Sequence, residues 1–377
     1  MIFSLLTSVG VLLLAISAVP YIVYLFGIWF GKKVEDTANS SNEELPYISV
    51  VICAYREERN IGNKIQSIRD CTYPQDKIEV IIMVDKADDD TEGAARRALE
   101  KTNYQWIVHE NAERTGKNKS LNMGIKMATH DIIIDTDADV IWAKDTVEKL
   151  VRRLISDEKI AAVSADLQPN TGNDVVTSME KVYRSFFGRM SEWESANDAT
   201  YIFNGNLIAL KKSVIGEITE VIGPDDANIA FVAIRKGYRT IYEIGAKVFE
   251  ELPVNMRKQY SQKARRAKGL IQATMANRDL LKLRRPFSRI FYPLRIYMYV
   301  ITPTVFFAGL LLFILGMAGF APLLLLLLIL AILLLSVVKR GNLITAFITN
   351  QFYLFMGLYS RRKDAVIWQS TSKKVGE

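Results

Sequence analysis

Two stretches of this chain carry no charged side chain, residues 2–30 and residues 296–338, and nothing else constrains its fold as strongly. About 20 apolar residues make one membrane-spanning helix, so the first stretch suffices for one span and the second for two. Gly316, Gly319 and Pro322 interrupt the second, which predicts a two-helix hairpin. The first has no basic leader or small-residue cleavage site and is too long for a signal peptide, so residues 1–31 read as a retained anchor. Lys32 and Lys33 follow that anchor, Arg284, Arg285, Arg289 and Arg295 precede the hairpin, and Lys339 and Arg340 follow it. With three spans all these clusters fall on one side of the membrane, and basic flanks mark the cytoplasmic side. The expectation is an integral plasma-membrane protein with residues 31–295 in the cytosol.

Between the apolar blocks lies an ordinary domain, consistent with 24% charged residues beside 50% hydrophobic ones over 377 residues. Residues 32–46 are a polar linker closing on Pro46, and the domain is expected over residues 47–283. The net charge of +7 raises the question of nucleic acid. Much of the excess flanks the apolar blocks, so topology and anionic lipid explain it, and no nucleic-acid partner is expected. Only Cys53 and Cys71 occur, without metal-ligand spacing, and read as buried thiols. His109 and His130 fit no triad or ligand pattern, which argues against histidine-based catalysis.

YISVVICAY, IEVIIMV, YQWIVH and DIIID are short, β-rich apolar runs separated by amphipathic stretches, the pattern of an α/β sheet with parallel strands. In such sheets ligands sit beyond the carboxyl ends of the strands. There the chain reads AYREERNI, VDKADDDT, HENAERTGKNKSLN and DTDAD, all polar. The last run places Asp135, Asp137 and Asp139 at alternate positions, a pattern suited to Mg²⁺ or Mn²⁺, hard cations that take oxygen ligands and usually share them with phosphates. No GxGxxG follows the first strand, and Gly116-Lys117 lacks the rest of a phosphate loop. Arg114 and Lys117 are candidates for phosphate oxygens. After the acids, Asp145 and Glu148 form a capping-box pattern before a helix whose Val147, Leu150, Val151, Leu154 and Ile155 share one face.

The order AYREE, D-x-A-x-D-x-T at Asp85–Thr91, RTGK…LN at Arg114–Asn122 and DAD at Asp137–Asp139 resembles the family 2 inverting glycosyltransferases of GT-A fold. The resemblance continues through NGNLIALKKS at Asn204–Ser213, PDDANIAFVAIRKGYR at Pro224–Arg239 and QKARR at Gln262–Arg266, covering roughly residues 46–270. It implies an α/β domain with a mixed, mostly parallel sheet, carrying transmembrane helices at both ends, and a nucleotide-sugar donor, expected to be a UDP-sugar. It places Tyr55, Glu57, Asp85, Asp89, Arg114, Lys117 and Asp137 around that donor, with Asp137 and Asp139 at the Mg²⁺ or Mn²⁺ and Asp139 its direct ligand. Asp135-Thr136-Asp137 is a second D-x-D register. The later one is chosen because the eight residues from Asp139 to Val147 match the family spacing.

The same resemblance makes Asp226 the base that deprotonates the acceptor, Arg265 the group that holds the departing diphosphate, and Gln262 an acceptor-orienting residue. Asn204, Gly205, Asp225 and Arg266 fall on the acceptor side. Arg266 stands where the family's Q-x-x-R-W has Trp, which counts against processive synthesis.

Residues 284–295 interleave aromatics, arginines and two prolines, as an interfacial segment would. Residues 343–360 are apolar but carry Asn350 and Gln351 at their centre and are expected to lie at the interface, with a basic cytosolic tail over 361–377. Within that tail, WQSTSKK from Trp368 is similar to the gating-loop motif of hyaluronan-type synthases and adds Trp368 to the acceptor side. The expected partners are thus a nucleotide sugar, a membrane lipid or glycan acceptor and the bilayer, with an oligomer open. The alternatives are a processive polysaccharide synthase of hyaluronan or chitin type and an inactive glycan-binding scaffold.

Overall fold

The computed structural model describes residues 1–34, 44–170, 175–203, 207–218, 224–251, 256–338 and 343–359. Two compact units divide the chain, one from within residues 33–170 and 191–255, the other from within 1–32, 171–190 and 256–362. Within the stretch expected as one domain, residues 175–190 and 256–283 group with the apolar helices. Most of the expected linker and the whole tail 361–377 lie outside the described residues.

In the first unit, β1 (Ile48–Ala54), β2 (Ile78–Val84), β3 (Gln105–Glu110), β4 (Ile132–Asp137), β5 (Val140–Trp142), β6 (Ile160–Pro169), β7 (Leu207–Lys211) and β8 (Arg239–Glu250) form one sheet. Its order is β3-β2-β1-β4-β7-β6-β8-β5. Pairing is parallel for β1 with β2 and β4, β2 with β3, and β6 with β8, and antiparallel for β4–β7, β6–β7 and β5–β8. The four runs read as strands are β1–β4. Every residue of β1 and β2 is buried, which is why both read as unbroken apolar runs: parallel strands are covered on both faces.

The helices are α1 (Ile2–Phe30), α2 (Ile61–Arg69), α3 (Thr91–Leu99), α4 (Lys117–Met127), α5 (Thr146–Ile155), α6 (Val175–Asn197), α7 (Lys212–Ile215), α8 (Asp225–Arg235) and α9 (Met256–Ala276). Helices Phe287–Phe320, Pro322–Val338 and Leu343–Tyr359 follow. A Cβ on Gly124 of α4 would come within 2.5 Å of Val51 Cγ1, so glycine lets α4 press against β1. The apolar face of α5 is buried as expected, but no capping box forms. Asp145 instead pairs with Lys149 at 2.6 Å and Glu148 with Arg152 at 2.9 Å, so i,i+4 ion pairs use the carboxylates meant for capping. Cys53 and Cys71 are buried and free.

In the second unit, α1 and Phe287–Phe320 are long and apolar enough to cross a membrane. They approach closely because glycines line the contact. A Cβ on Gly316 would lie 2.5 Å from Thr7 N, and one on Gly10 2.5 Å from Phe313 N. The apolar block breaks at Ala321-Pro322, the predicted place. Its start differs from expectation. Residues 287–301 run as helix through two π-helical stretches into the apolar part, so the interfacial segment 284–295 has no boundary at its end. Arg295 is fully buried, with Nη1 donating to Tyr299 Oη at 3.0 Å. Asn350 and Gln351 also face inward, and Gln351 Nε2 donates to Tyr21 Oη at 2.6 Å. Gln351 thus meets α1 inside this unit.

Candidate active site

The carboxyl ends of β1, β2 and β4 and the start of α8 assemble the candidate site. Alternation along β4 points Asp135 and Asp137 to one face and Thr136 to the other. Asp135 is buried and neither carboxylate oxygen has a hydrogen-bond partner. Burial pushes its carboxyl well above the usual range, and the charges of Asp225, Asp137 and Asp226 add to that. Asp137 is raised by burial too, with Asp139 and Asp225 reinforcing it against Lys117. Negative charge is therefore in excess at the end of β4.

Lys117, at the first turn of α4, stands among these acids, with Nζ 2.6 Å from Asp137 Oδ1 and 2.7 Å from Asp225 Oδ2. Burial would lower its pKa, but Asp137, Asp225 and Asp135 outweigh burial and hold it well above the ordinary value. Lys117, expected at phosphate oxygens, here bridges two of the site's acids. Asp225 and Asp226 open α8, where two carboxylates are favoured by the helix N-terminus. Asp226 is buried and sits within electrostatic reach of Asp135, so the expected base and the acidic turn belong to one site.

Asp85, expected near the donor, is tied to the loop after β3. Its side chain is fully buried and accepts hydrogen bonds from Thr115 N at 2.7 Å, Gly116 N at 2.9 Å, Asn111 Nδ2 at 3.0 Å and Thr115 Oγ1 at 3.0 Å. Gly116, at φ +87°, turns the chain so that two successive amides reach this carboxylate. Asp85 thus holds the loop that carries Arg114 and Lys117. Asp89 likewise accepts from Thr91 N at 3.2 Å and from Glu58 N at 3.4 Å, joining the loops after β1 and β2. Arg114 stacks its guanidinium 3.7 Å from the Tyr55 ring centre, a pairing that supplies a flat, positively charged rim. Arg56 forms a two-pronged pair with Asp88, and both Arg56 (φ 58°) and Lys86 (φ 45°) hold left-handed backbone at these strand ends.

Glu57 is buried and its carboxyl is pushed up to about 8, first by burial and then by Asp139. That coupling places Glu57 within electrostatic reach of the acidic turn. Among the described residues no three His, Cys, Asp or Glu side chains converge to hold an ion unaided. Two carboxylates with the rest supplied by phosphate oxygens is the usual arrangement for Mg²⁺, and either register offers such a pair: Asp137 with Asp139, or Asp137 with Asp135, whose oxygens have no partner.

Gln262, Arg265 and Arg266 all lie on α9, in the second unit. Gln262 Nε2 is buried without a hydrogen-bond partner, and burial, with Arg266 beside it, lowers the pKa of the Arg265 guanidinium. Asn204, Gly205 and Trp368 lie outside the described residues. Sequence reasoning missed Lys64. It occupies an apolar helical position, three residues after Ile61 and four before Ile68, and is buried with its Nζ 2.7 Å from Thr136 Oγ1.

Residues 49–219 match the family described as glycosyl transferase family 2. A poly-β-1,6-N-acetyl-D-glucosamine synthase of Staphylococcus aureus is 24% identical over 261 residues, covering 67% of this chain and 62% of that protein. A Bacillus subtilis protein described as a probable glycosyltransferase is 26% identical over 282 residues, 72% of this chain and 65% of that protein. The chain thus spans less than two thirds of these relatives. A solved mannosyltransferase from Pyrobaculum calidifontis, in complex with GDP-Man and Mn²⁺, is similar over 95% of this chain and 100% of that one, with 26% identity and a TM-score of 0.79.

Proposed function

We propose that this chain, whose residues 49–219 are a glycosyltransferase family 2 domain on a GT-A-like mixed sheet, is a membrane-bound inverting glycosyltransferase. It moves a sugar from a nucleotide-sugar donor to a membrane-held lipid or lipid-linked glycan, with its catalytic domain on the cytosolic side of the plasma membrane. One observation carries the reading: Lys117 joins the Asp137–Asp139 turn to the Asp225-Asp226 helix start, so acids for the donor side and a base for the acceptor share one site.

In this reading Asp137 and Asp139 hold a divalent cation, Mn²⁺ or Mg²⁺, which supplies positive charge to the donor diphosphate. The other steps belong to side chains of the chain. Asp226 accepts the proton of the acceptor hydroxyl as its oxygen bonds to the anomeric carbon, while the bond to the diphosphate breaks on the opposite face of the sugar. Arg265 offers its guanidinium to the departing diphosphate, and Gln262 orients the acceptor. Tyr55 and Arg114 border the nucleoside, and Asp85 fixes the loop that carries Arg114.

The family resemblance favours a UDP-sugar, whereas the Pyrobaculum neighbour was solved with GDP-Man, so the donor panel has to include both. A processive polysaccharide synthase is the second reading, supported by the name of the Staphylococcus relative. Arg266 in place of an indole, and three expected spans, count against it. Nucleotide release from UDP-sugars and GDP-mannose with Mn²⁺, followed by sizing of the labelled product, tests both. Nucleotide release with short lipid-soluble product is expected. Long polymer would select the second reading, and no donor turnover in native membranes would overturn both.

A further inference from the structure

We propose that Lys64 is a positioning residue for the acidic turn, its ammonium tying the residue before Asp137 to the residue after Asp139. The inference rests on reading that turn as the site of the donor's divalent cation. Lys64 Nζ donates to Thr136 Oγ1 at 2.7 Å and to the Val140 carbonyl at 3.3 Å. Those two atoms bracket the Asp137–Asp139 segment. Trp142 completes the arrangement: its Nε1 donates to the same Thr136 oxygen at 3.3 Å, and its ring centre lies 4.1 Å from the ammonium. The Thr136 hydroxyl in turn donates to the Asp137 carbonyl at 3.3 Å. A hydroxyl, a carbonyl and an indole face thus surround one buried amino group.

Packing alone does not call for lysine here. Ile61, Ile65 and Ile68 on the same face of α2 are buried side chains, and an apolar residue at position 64 would complete their stripe without desolvating an ammonium. What lysine adds is a cross-link between two points of β4 and β5 that only the acidic turn separates. Thr136 faces away from Asp135 and Asp137 on the strand, so Lys64 acts on the carboxylates through the backbone. Misplacement of a catalytic group by about 1 Å can cost on the order of a hundredfold in rate, so holding both ends of a three-residue turn bears directly on cation binding.

Two effects of removing Lys64 have opposite signs, and this makes the proposal testable. As a mere neighbouring positive charge, Lys64 repels a divalent cation, so Lys64→Met would tighten Mn²⁺ binding. As a positioning group it orders the ligands, so the same change weakens binding. Mn²⁺ is titrated calorimetrically into full-length protein in detergent, with GDP and UDP each present, for wild type, Lys64→Met and Thr136→Val. Thr136→Val removes the shared hydroxyl, keeps the ammonium and is close in shape, so it reports if Lys64→Met fails to fold.

Both variants are expected to bind Mn²⁺ at least tenfold more weakly than wild type, and Lys64→Met to melt within a few degrees of it, since exchanging a buried charge for an apolar side chain is often neutral. Unchanged or tighter Mn²⁺ binding in both would overturn the positioning role and leave the proposed activity standing. Absence of Mn²⁺-dependent nucleotide binding in the wild type would instead overturn the reading of the acidic turn itself, and this inference with it.

Discussion

The ammonium of Lys117 lies 2.6 Å from the Oδ1 atom of Asp137. Its second contact, 2.7 Å to Asp225 Oδ2, makes it a bridge between the turn after β4 and the start of α8, segments far apart in the chain. Breaking a buried ion pair by deleting one partner costs about 3–5 kcal/mol, because the other charge stays buried and uncompensated. Lys117→Met is therefore expected to lower stability by about 3 kcal/mol in metal-free buffer. Mn²⁺ should recover more stability in the variant than in wild type, since the excess negative charge is larger. Thermal unfolding with and without Mn²⁺ measures both, and an unchanged melting temperature would contradict the bridge.

Asp139→Asn is expected to abolish turnover and to remove the Mn²⁺ dependence of nucleotide binding while the protein stays folded. An amide lacks the charge that holds a hard cation. Calorimetry of nucleotide binding with and without Mn²⁺ checks this. If the metal dependence survives, Asp135, the acid of the earlier register, becomes the ligand.

For the base, Asp226→Asn should slow transfer by a factor on the order of a hundred or more, the range for losing a positioned proton acceptor. Donor binding should stay near wild type, because the diphosphate is held elsewhere. The amide keeps an oxygen for the helix start, so stability should change by about 1 kcal/mol or less. Turnover and nucleotide affinity measured on one preparation separate the cases, and loss of donor binding in parallel would place Asp226 in the nucleotide site.

Asp85 sets an acid limit on the fold. Burial alone would raise its carboxyl, but the amides of Thr115 and Gly116 and the Asn111 side chain outweigh burial and hold it below the ordinary value of 3.8. A depressed carboxyl contributes stability that is present above its unfolded pKa and is lost as pH falls through the folded one. Wild-type stability should therefore decline below about pH 4 in part through Asp85. Asp85→Asn should be less stable by about 3 kcal/mol at pH 7, since an amide presents a donor to donors. The difference between the two should shrink toward pH 3, which denaturant titrations across that range would detect.

In the apolar unit, Gly316→Leu should separate α1 from helix Phe287–Phe320, because even a Cβ would meet Thr7 N at 2.5 Å. Loss of the folded fraction in a detergent melting series is the expected result. Leu328→Ala, on a side chain exposed in helix Pro322–Val338, should leave melting unchanged and serves as the control.

The four leading strands, the break at Pro322 and the acids at alternate positions of β4 were all legible in the sequence, because each rests on local periodicity or chain punctuation. Burial on both faces makes β1 and β2 continuous apolar runs, and two-residue alternation sends Asp135 and Asp137 to one face whatever else the chain does. The partner of each charge was not legible. Lys117 meets Asp225, Lys64 meets Thr136 and Asp85 meets Thr115 across separations set by strand order, register and helix packing. Local pattern also misled at Asp145, which pairs with Lys149 and makes no capping hydrogen bond. A side chain's type states what it can bind, but in a mixed sheet only the folded register decides which group stands within reach. That is why Asp85 became the support of a loop and Lys64 the tie beneath the acidic turn.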